Sequence, residues 1–150
     1  MKITDALTIE HTLFRAMFDQ IELVLPALTT FTEIQPLARM AASLLHSHGE
    51  NEQNLFYDVL DHMLKEKGYF GRIFAEHRET DSLMNQVQQS VDLAKARQLF
   101  QDTIDLTREH FLFEEQTVFP LAEKHLQNES LETLGALWKH RHANRPMTSL

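Results

Sequence analysis

The sequence predicts an all-α protein, an up-down-up-down four-helix bundle with a short fifth helix at the C-terminal end. Apolar residues recur every three or four positions over long stretches, as they do on the buried face of an α-helix. The chain of 150 residues contains only four glycines and four prolines, which favours long helices over a fold with many turns. The connections between the periodic stretches are short, so consecutive helices are expected to be antiparallel neighbours.

Length, charge and composition limit the class of protein. We expect a single domain over residues 1–150, because the chain can form one sizeable core but is too short to indicate two. A net charge of -8 argues against nucleic-acid and anionic-membrane partners. The lack of cysteine excludes disulfides, thiolate metal sites and cysteine nucleophiles. Without a signal-peptide pattern or a bilayer-length apolar stretch, we expect a cytoplasmic location. The oligomeric state is left open.

The first predicted helix starts at Thr4, which suits an N-cap, and ends at the turn at Pro26. Its apolar stripe consists of Leu7, Phe14, Phe18 and Ile21. His11 falls inside this stripe, so the pattern places an imidazole on the side that faces the core.

The second predicted helix starts at Pro36, a favoured first helical position, and ends before Gly68. Its apolar stripe consists of Leu37, Ala41, Leu44, Leu45, Leu55, Phe56, Val59 and Met63. Only two polar residues, His48 and Glu52, interrupt the stripe.

The third predicted helix runs from Phe70 to Ser90, and His77 lies among its apolar residues. Those residues are Ile73, Phe74, Met84, Val87 and Val91. The fifth helix, residues 130–142, is expected to cap one side of the bundle. Its apolar residues are Leu131, Leu134, Leu137 and Trp138.

The fourth predicted helix runs from Leu93 to about Pro120, and its inner face mixes apolar and polar side chains. The apolar ones are Leu99, Phe100, Val118 and Leu121, and the polar ones are Thr103, Thr107, His110 and Glu114. Thr107 precedes His110 by one turn, which makes it a candidate for supporting that histidine.

A near-repeat links the second and fourth helices. The segment HGENEQNLFYD, residues 48–58, is followed 62 positions later by HFLFEEQTVFP, residues 110–120. The repeat places a histidine and a glutamate four residues apart in both helices, His48 with Glu52 and His110 with Glu114. Two helices that carry the same pair at matching places indicate pseudo-twofold symmetry.

These pairs predict a metal site. Residues four apart lie on one face of a helix, so each histidine and its glutamate point the same way. With His11 and His77, four imidazoles and two carboxylates face the interior. Two carboxylates in a dry core repel each other. Each also loses hydration worth roughly several kcal/mol, unless its charge is neutralised. No lysine or arginine lies in the stripes to neutralise them, so cations are the expected partners.

The ligand set narrows the choice of metal. Imidazole and carboxylate ligands suit iron, manganese, zinc or copper, and six side chains exceed what one tetrahedral zinc ion uses. Two metal ions that share Glu52 and Glu114 as bridges, with two histidines each, would use all six. Iron is the first choice and manganese or zinc the alternative, since the spacing excludes neither.

Simpler explanations exist for each residue taken singly. One inward histidine is more often a hydrogen-bonded core residue, and an HxxxE pair is a common helix-surface pattern. Two such pairs on apolar faces, together with two further inward histidines, do not fit either explanation. Glu115 lies about 100° further round its helix than Glu114, which makes Glu114 the better inward candidate, and Glu50 faces away from His48. The other histidines are set aside: His46 as outward-facing, His62 and His125 as remote along their helices, and His140 and His142 as near the C-terminal end.

Four segments resemble the hemerythrin family, in particular the bacterial hemerythrin-like HHE cation-binding proteins. They are IEHTLFR, HGENE, AEHRE and HFLFEEQTVFP, of which the last, with its HxxxEExxxFP form, is the most specific. The resemblance implies a four-helix bundle with a non-haem di-iron centre, with an oxo or hydroxo bridge between the irons. It implies His11, His48, His77 and His110 as terminal ligands and Glu52 and Glu114 as bridging ligands.

The sequence departs from the oxygen carriers of that family at Ile73, where they usually have a further histidine. The remaining ligand set resembles that of di-iron proteins implicated in iron–sulfur-cluster repair, but the cysteine-containing region common in those proteins is not present in this chain. We expect a di-iron protein that binds or senses O2, NO or peroxide at an open iron position, without catalytic residues of its own. The alternatives are a metal-stabilised interaction or regulatory domain without chemistry, a repair or NO-reactive protein, and an enzyme such as a peroxidase or NO reductase.

Overall fold

The computed structural model describes residues 1–64 and 70–143, and these residues form seven α-helices. They are α1 (Ile3–Val24), α2 (Phe31–Glu52), α3 (Asp58–Leu64), α4 (Gly71–Gln89), α5 (Leu93–Phe113), α6 (Phe119–His125) and α7 (Asn128–Ala143). No strand occurs in these two ranges. The all-α bundle with an additional C-terminal helix, predicted from the sequence, is confirmed.

Four long helical segments, called rods here, form the bundle: α1, α2 with α3, α4, and α5 with α6. The second and fourth rods each contain a π-helical turn. The turn Gln53–Tyr57 joins α2 to α3, and the turn Glu114–Val118 joins α5 to α6. Each rod therefore runs on past its glutamate, as the sequence predicted, but with a local widening at Glu52 or Glu114. Single π turns inside helices occur mostly at functional sites, because the extra residue shifts the direction of the side chains around it.

The start of α2 differs from the prediction, since the helix begins at Phe31 and Pro36 lies inside its second turn. The reason is a capping box, in which the Glu33 carboxylate accepts hydrogen bonds from the backbone N–H of Thr29 and of Thr30, both at 2.9 Å. The cap stabilises a helix start five residues before the proline. The predicted end before Gly68 lies outside the described residues.

A layer of polar side chains divides the hydrophobic core into two halves. One half lies toward the α1–α2 and α4–α5 connections, and its largest members are Phe14, Phe18, Ile34, Met84, Phe100, Ile104 and Phe111. The other half lies toward the chain start and α7, and includes Ile3, Leu7, Phe56, Tyr57, Phe70, Ile73, Val118 and Phe119. His11 follows Leu7 and precedes Phe14 in α1, so the polar layer lies between the two halves.

Four apolar residues predicted to be buried are exposed. They are Leu44, Met63, Val91 and Leu137. Val91 is 94% exposed because α4 ends at Gln89 and Val91 belongs to the connection to α5. Leu44 lies about 100° around the helix from the buried Leu45, which places it outside the stripe.

The C-terminal helix α7 packs along α1 and covers one side of the bundle, as predicted. Gly135 allows this contact, because a Cβ atom at that position would overlap the backbone of Met1 and Lys2. No helix within the described ranges combines the length and the apolar character needed to cross a bilayer.

Candidate metal centre

The structure brings together all six side chains that the sequence predicted as metal ligands. Each of the four bundle rods contributes one histidine, and the second and fourth rods add one glutamate each. Five of the six residues are buried, namely His11, His48, Glu52, His110 and Glu114. His77 is the exception, with 18% of its side chain exposed.

The six side chains form two overlapping groups that share both glutamates. The first group, called position A here, consists of His11, His48, Glu52 and Glu114. The second group, position B, consists of His77, His110 and the same two glutamates. In each group one possible ligand atom per residue lies within 4.8 Å of the others. Each group thus provides two imidazoles and two carboxylates around one point.

The two oxygens of each carboxylate face different positions. Glu52 presents Oε1 to His48 Nε2 at 3.3 Å and Oε2 to His77 Nε2 at 3.5 Å. Glu114 presents Oε2 to His11 Nε2 at 3.3 Å and Oε1 to His110 Nε2 at 3.3 Å. This division of oxygens is the arrangement that a carboxylate needs in order to bridge two metal ions.

Buried polar atoms without hydrogen-bond partners mark the same place. Among the described residues, those in the layer are His11 Nε2, His48 Nε2, both carboxylate oxygens of Glu52 and Oε2 of Glu114. An unsatisfied buried polar group costs about 1–3 kcal/mol, and more if it is charged. A cation at each position would satisfy these atoms, so the residues present fit a pair of metal ions.

Three of the four histidines are oriented by carboxylates outside the layer, each of which accepts a hydrogen bond from Nδ1. The pairs are His11 with Glu115 at 2.9 Å, His48 with Glu10 at 3.0 Å and His110 with Glu76 at 2.8 Å. Each of these bonds fixes the ring so that Nε2 points into the layer, as in metal sites whose histidines are held by carboxylates.

Further residues hold these outer carboxylates in place. Arg15 donates two hydrogen bonds to Glu115, at 2.8 and 3.0 Å, and Arg72 donates one to Glu76 at 2.6 Å. His142 lies 3.3 Å from Glu10 through Nε2, although its position near the C-terminal end predicted no role at the site. That expectation was wrong, because α7 folds back along α1 and places His142 beside Glu10, the carboxylate that holds His48.

His77 lacks such a carboxylate partner. Its Nδ1 is buried and has no hydrogen-bond partner in the described part of the chain, and its Nε2 lies 3.0 Å from Nε2 of His110. The ring packs against the backbone of α2 at Gly49, where an added Cβ would lie 3.1 Å from Nδ1. A side chain at residue 49 would therefore press on the ring.

Two aromatic residues of the site were not predicted. Tyr57 is fully buried, and its hydroxyl donates a short hydrogen bond to Glu114 Oε1. Phe111 stacks on the His11 ring, with centroids 3.9 Å apart and planes within 11°. The predicted support from Thr107 is not found, since its hydroxyl donates to the carbonyl of Thr103 at 2.8 Å instead.

In the metal-free layer, neighbouring carboxylates raise the pKa values of His48 and His110 although burial opposes their charge. Burial opposes charge on His110, but Glu114 and Glu76 raise its pKa to about 10. Burial would likewise raise the pKa of Glu52, yet His48, with His11 and His77, holds that pKa well below its usual value. Metal binding must therefore displace protons from this layer, so that the metal ions take over the charge that the protons supply.

A cleft leads from the protein surface to the layer between α2 and α4. Its volume is about 390 Å³, and His48, His77 and His110 form part of its wall. His46 also lines the cleft and points outward as predicted, with Nδ1 at 3.0 Å from Asp81 and Nε2 at 3.5 Å from Glu50. The cleft gives small molecules a path to the two candidate metal positions.

Comparisons with known proteins agree with this geometry. The family model described as the hemerythrin HHE cation-binding domain matches residues 2–122, and a second, overlapping match covers residues 69–143. Neither the search of curated proteins nor the search of solved structures found a match. The first match covers most of the chain and contains all six candidate ligands. The chain therefore belongs to the hemerythrin HHE cation-binding domain family.

Proposed function

We propose that this domain holds two iron ions at positions A and B and binds a small ligand, O2, NO or peroxide, at an open iron position. Four imidazoles and two carboxylates without a thiolate suit iron, and also manganese or zinc. Two ions that share Glu52 and Glu114 would use every ligand atom that faces the layer. When bound, iron would supply a coordination position for the small ligand and the electrons to reduce it.

The cleft is the observation that carries the proposal. Its volume of about 390 Å³ is ample for a diatomic molecule or peroxide, and three candidate iron ligands lie in its wall. Three apolar side chains, Leu45, Phe74 and Phe111, form part of the rest of the wall, which is otherwise mostly polar.

Ile73 supports reaction or sensing over reversible transport. It is 1% exposed and stands one turn before His77, where the oxygen carriers that this chain resembles usually have a further histidine. An isoleucine provides no ligand atom, so position B has one imidazole fewer than in those carriers. A position with fewer protein ligands leaves more room for an external ligand.

The test is an anaerobic reconstitution with ferrous iron, followed by exposure to O2, to NO and to peroxide in separate samples. We expect about two iron ions per chain and a change in the visible spectrum with at least one of these ligands. The matched control is the Glu79→Ala variant, which removes an exposed glutamate of α4 outside the cleft wall and should retain both the iron and the spectral change.

Other outcomes would assign other functions. Steady-state consumption of peroxide or NO with an electron donor would indicate an enzyme. A protein that takes up metal and melts on its removal, but whose spectrum no ligand changes, would indicate a metal-stabilised interaction domain. Either result would replace ligand binding or sensing as the function of the centre.

A further inference from the structure

The pseudo-twofold relationship within the bundle provides an internal comparison of the two metal positions. Residues of the second and fourth rods correspond at a spacing of 62, as for His48 and His110. Residues of α1 and α4 correspond at a spacing of 66, as for His11 and His77. The outer carboxylates obey the same rule, because Glu10 holds His48 in the way that Glu76, 66 positions later, holds His110.

This symmetry is broken around one pair of histidines. At position A the His11 ring stacks on Phe111 and bonds to Glu115, which Arg15 holds in turn. The residues that correspond to these three by the spacing rule are Gly49, Gln53 and Asp81. Around His77, then, a glycine replaces the stacking ring, a neutral amide replaces the carboxylate, and an acid replaces the arginine.

All three replacements lie in the wall of the cleft. Phe14, whose ring contacts His48 at a centroid distance of 5.1 Å, corresponds in the same way to Thr80, another wall residue. The cleft thus occupies, at position B, the place that aromatic rings and an ion pair fill at position A. Nδ1 of His77 has no hydrogen-bond partner among the described residues, whereas Nδ1 of its counterpart His11 is bonded to Glu115.

From this broken symmetry we infer that the two metal positions have different roles: position B, both of whose histidines lie in the cleft wall, exchanges its metal and takes the external ligand, and position A is the retained one. Gln53 and Gly49 set this difference, because they leave the His77 ring without the carboxylate and the stacking partner that hold His11. The inference rests on the proposed two-iron centre and adds which iron reacts. A carboxylate behind a metal-bound histidine raises metal affinity about 10- to 100-fold, so its absence weakens position B.

The experiment measures how fast a strong chromogenic chelator removes ferrous iron from the reconstituted protein without oxygen. The wild-type protein should lose about one iron ion per chain quickly and the other at least tenfold more slowly. Gln53→Glu supplies the missing carboxylate and should slow the fast phase at least tenfold while leaving the slow phase unchanged. Asn54→Asp adds the same charge at the next, exposed position and should change neither phase.

The converse variant is Glu115→Gln, which gives position A the residue type that position B has. We expect it to speed the slow phase and leave the fast phase unchanged. The inference is overturned if both irons leave in one phase, if Gln53→Glu leaves the fast phase unchanged, or if it slows both phases equally. A wild-type protein that never holds two iron ions would instead overturn the proposed function, so the two failures are distinguishable.

Discussion

The hydroxyl of Tyr57 donates a hydrogen bond to Oε1 of Glu114, although the two residues lie 57 positions apart on different rods. The bond joins the polar layer to the half of the hydrophobic core that lies toward the chain start and α7, to which the Tyr57 ring belongs. Burial first, and then the negative charges of Glu114 and Glu52, raise the pKa of Tyr57 well above its usual value. The phenol therefore keeps its proton and acts as a fixed hydrogen-bond donor to one of the two candidate bridges.

Tyr57→Phe should destabilise the metal-free protein by about 1.5–3 kcal/mol, the usual contribution of a hydrogen bond to a charged group. The phenylalanine ring retains the core packing, so the loss reports the bond alone. Urea unfolding of the metal-free protein measures it. In a Glu114→Gln background the same substitution should cost much less, and an equal cost in both backgrounds would rule out the assigned bond.

The outer carboxylates provide a second prediction. Glu10→Gln, Glu76→Gln and Glu115→Gln keep all six candidate ligands but replace an anionic acceptor by a neutral one. Each should weaken metal binding about 10- to 100-fold, as measured by competition with a chelator of known affinity. Glu79→Gln, on the exposed face of α4, is the matched control and should bind metal as the wild type does. Equal affinities in all four variants would show that these carboxylates do not act on the centre.

The pH dependence of the metal-free protein follows from its raised histidine pKa values. Burial opposes the charge on His48 and His110, but Glu52 and Glu10 raise the pKa of His48, and Glu114 raises that of His110 to about 10. Such a group binds its proton more tightly in the folded state, so its stabilisation is complete below the unfolded pKa and is lost as the pH rises through the folded one. The free energy of unfolding should fall between about pH 6.5 and about pH 10.

Urea unfolding at several pH values, with and without metal, measures this dependence. On the acid side Glu52, whose pKa is lowered although burial opposes this, loses its contribution as the pH falls below its usual pKa of about 4.5. In the metal-loaded protein the alkaline loss should disappear, because metal ions replace the protons. A metal-free protein whose stability rises from neutral to alkaline pH would contradict the protonated layer.

The six candidate ligands and the four-helix architecture could be predicted from the sequence because both depend on local spacing. The i to i+4 pairs fix which side chains share a face, and the 62-residue repeat relates the two glutamates. These signals do not depend on how the helices are arranged in space. The sequence therefore shows these spacings without any knowledge of how one helix packs against another.

The outer support of the site could not be predicted in the same way, because each partner lies on a different rod. Glu115 is directly next to Glu114, but the histidine that it holds, His11, lies 104 positions away. The sequence does contain one signal for these partners: a Glu-His dipeptide occurs in both α1 and α4, as Glu10–His11 and Glu76–His77. Which histidine each glutamate meets depends on rod packing, which helical periodicity does not specify.

Iron content after anaerobic reconstitution tests the central claim most directly, with the Glu52→Ala/Glu114→Ala double variant beside the wild type. We predict about two iron ions per chain for the wild type, and loss of both from the double variant, because each position depends on both carboxylates. Circular dichroism should show that the variant remains helical. A wild type that binds no iron, or a folded double variant that still holds two, would contradict the shared-carboxylate centre.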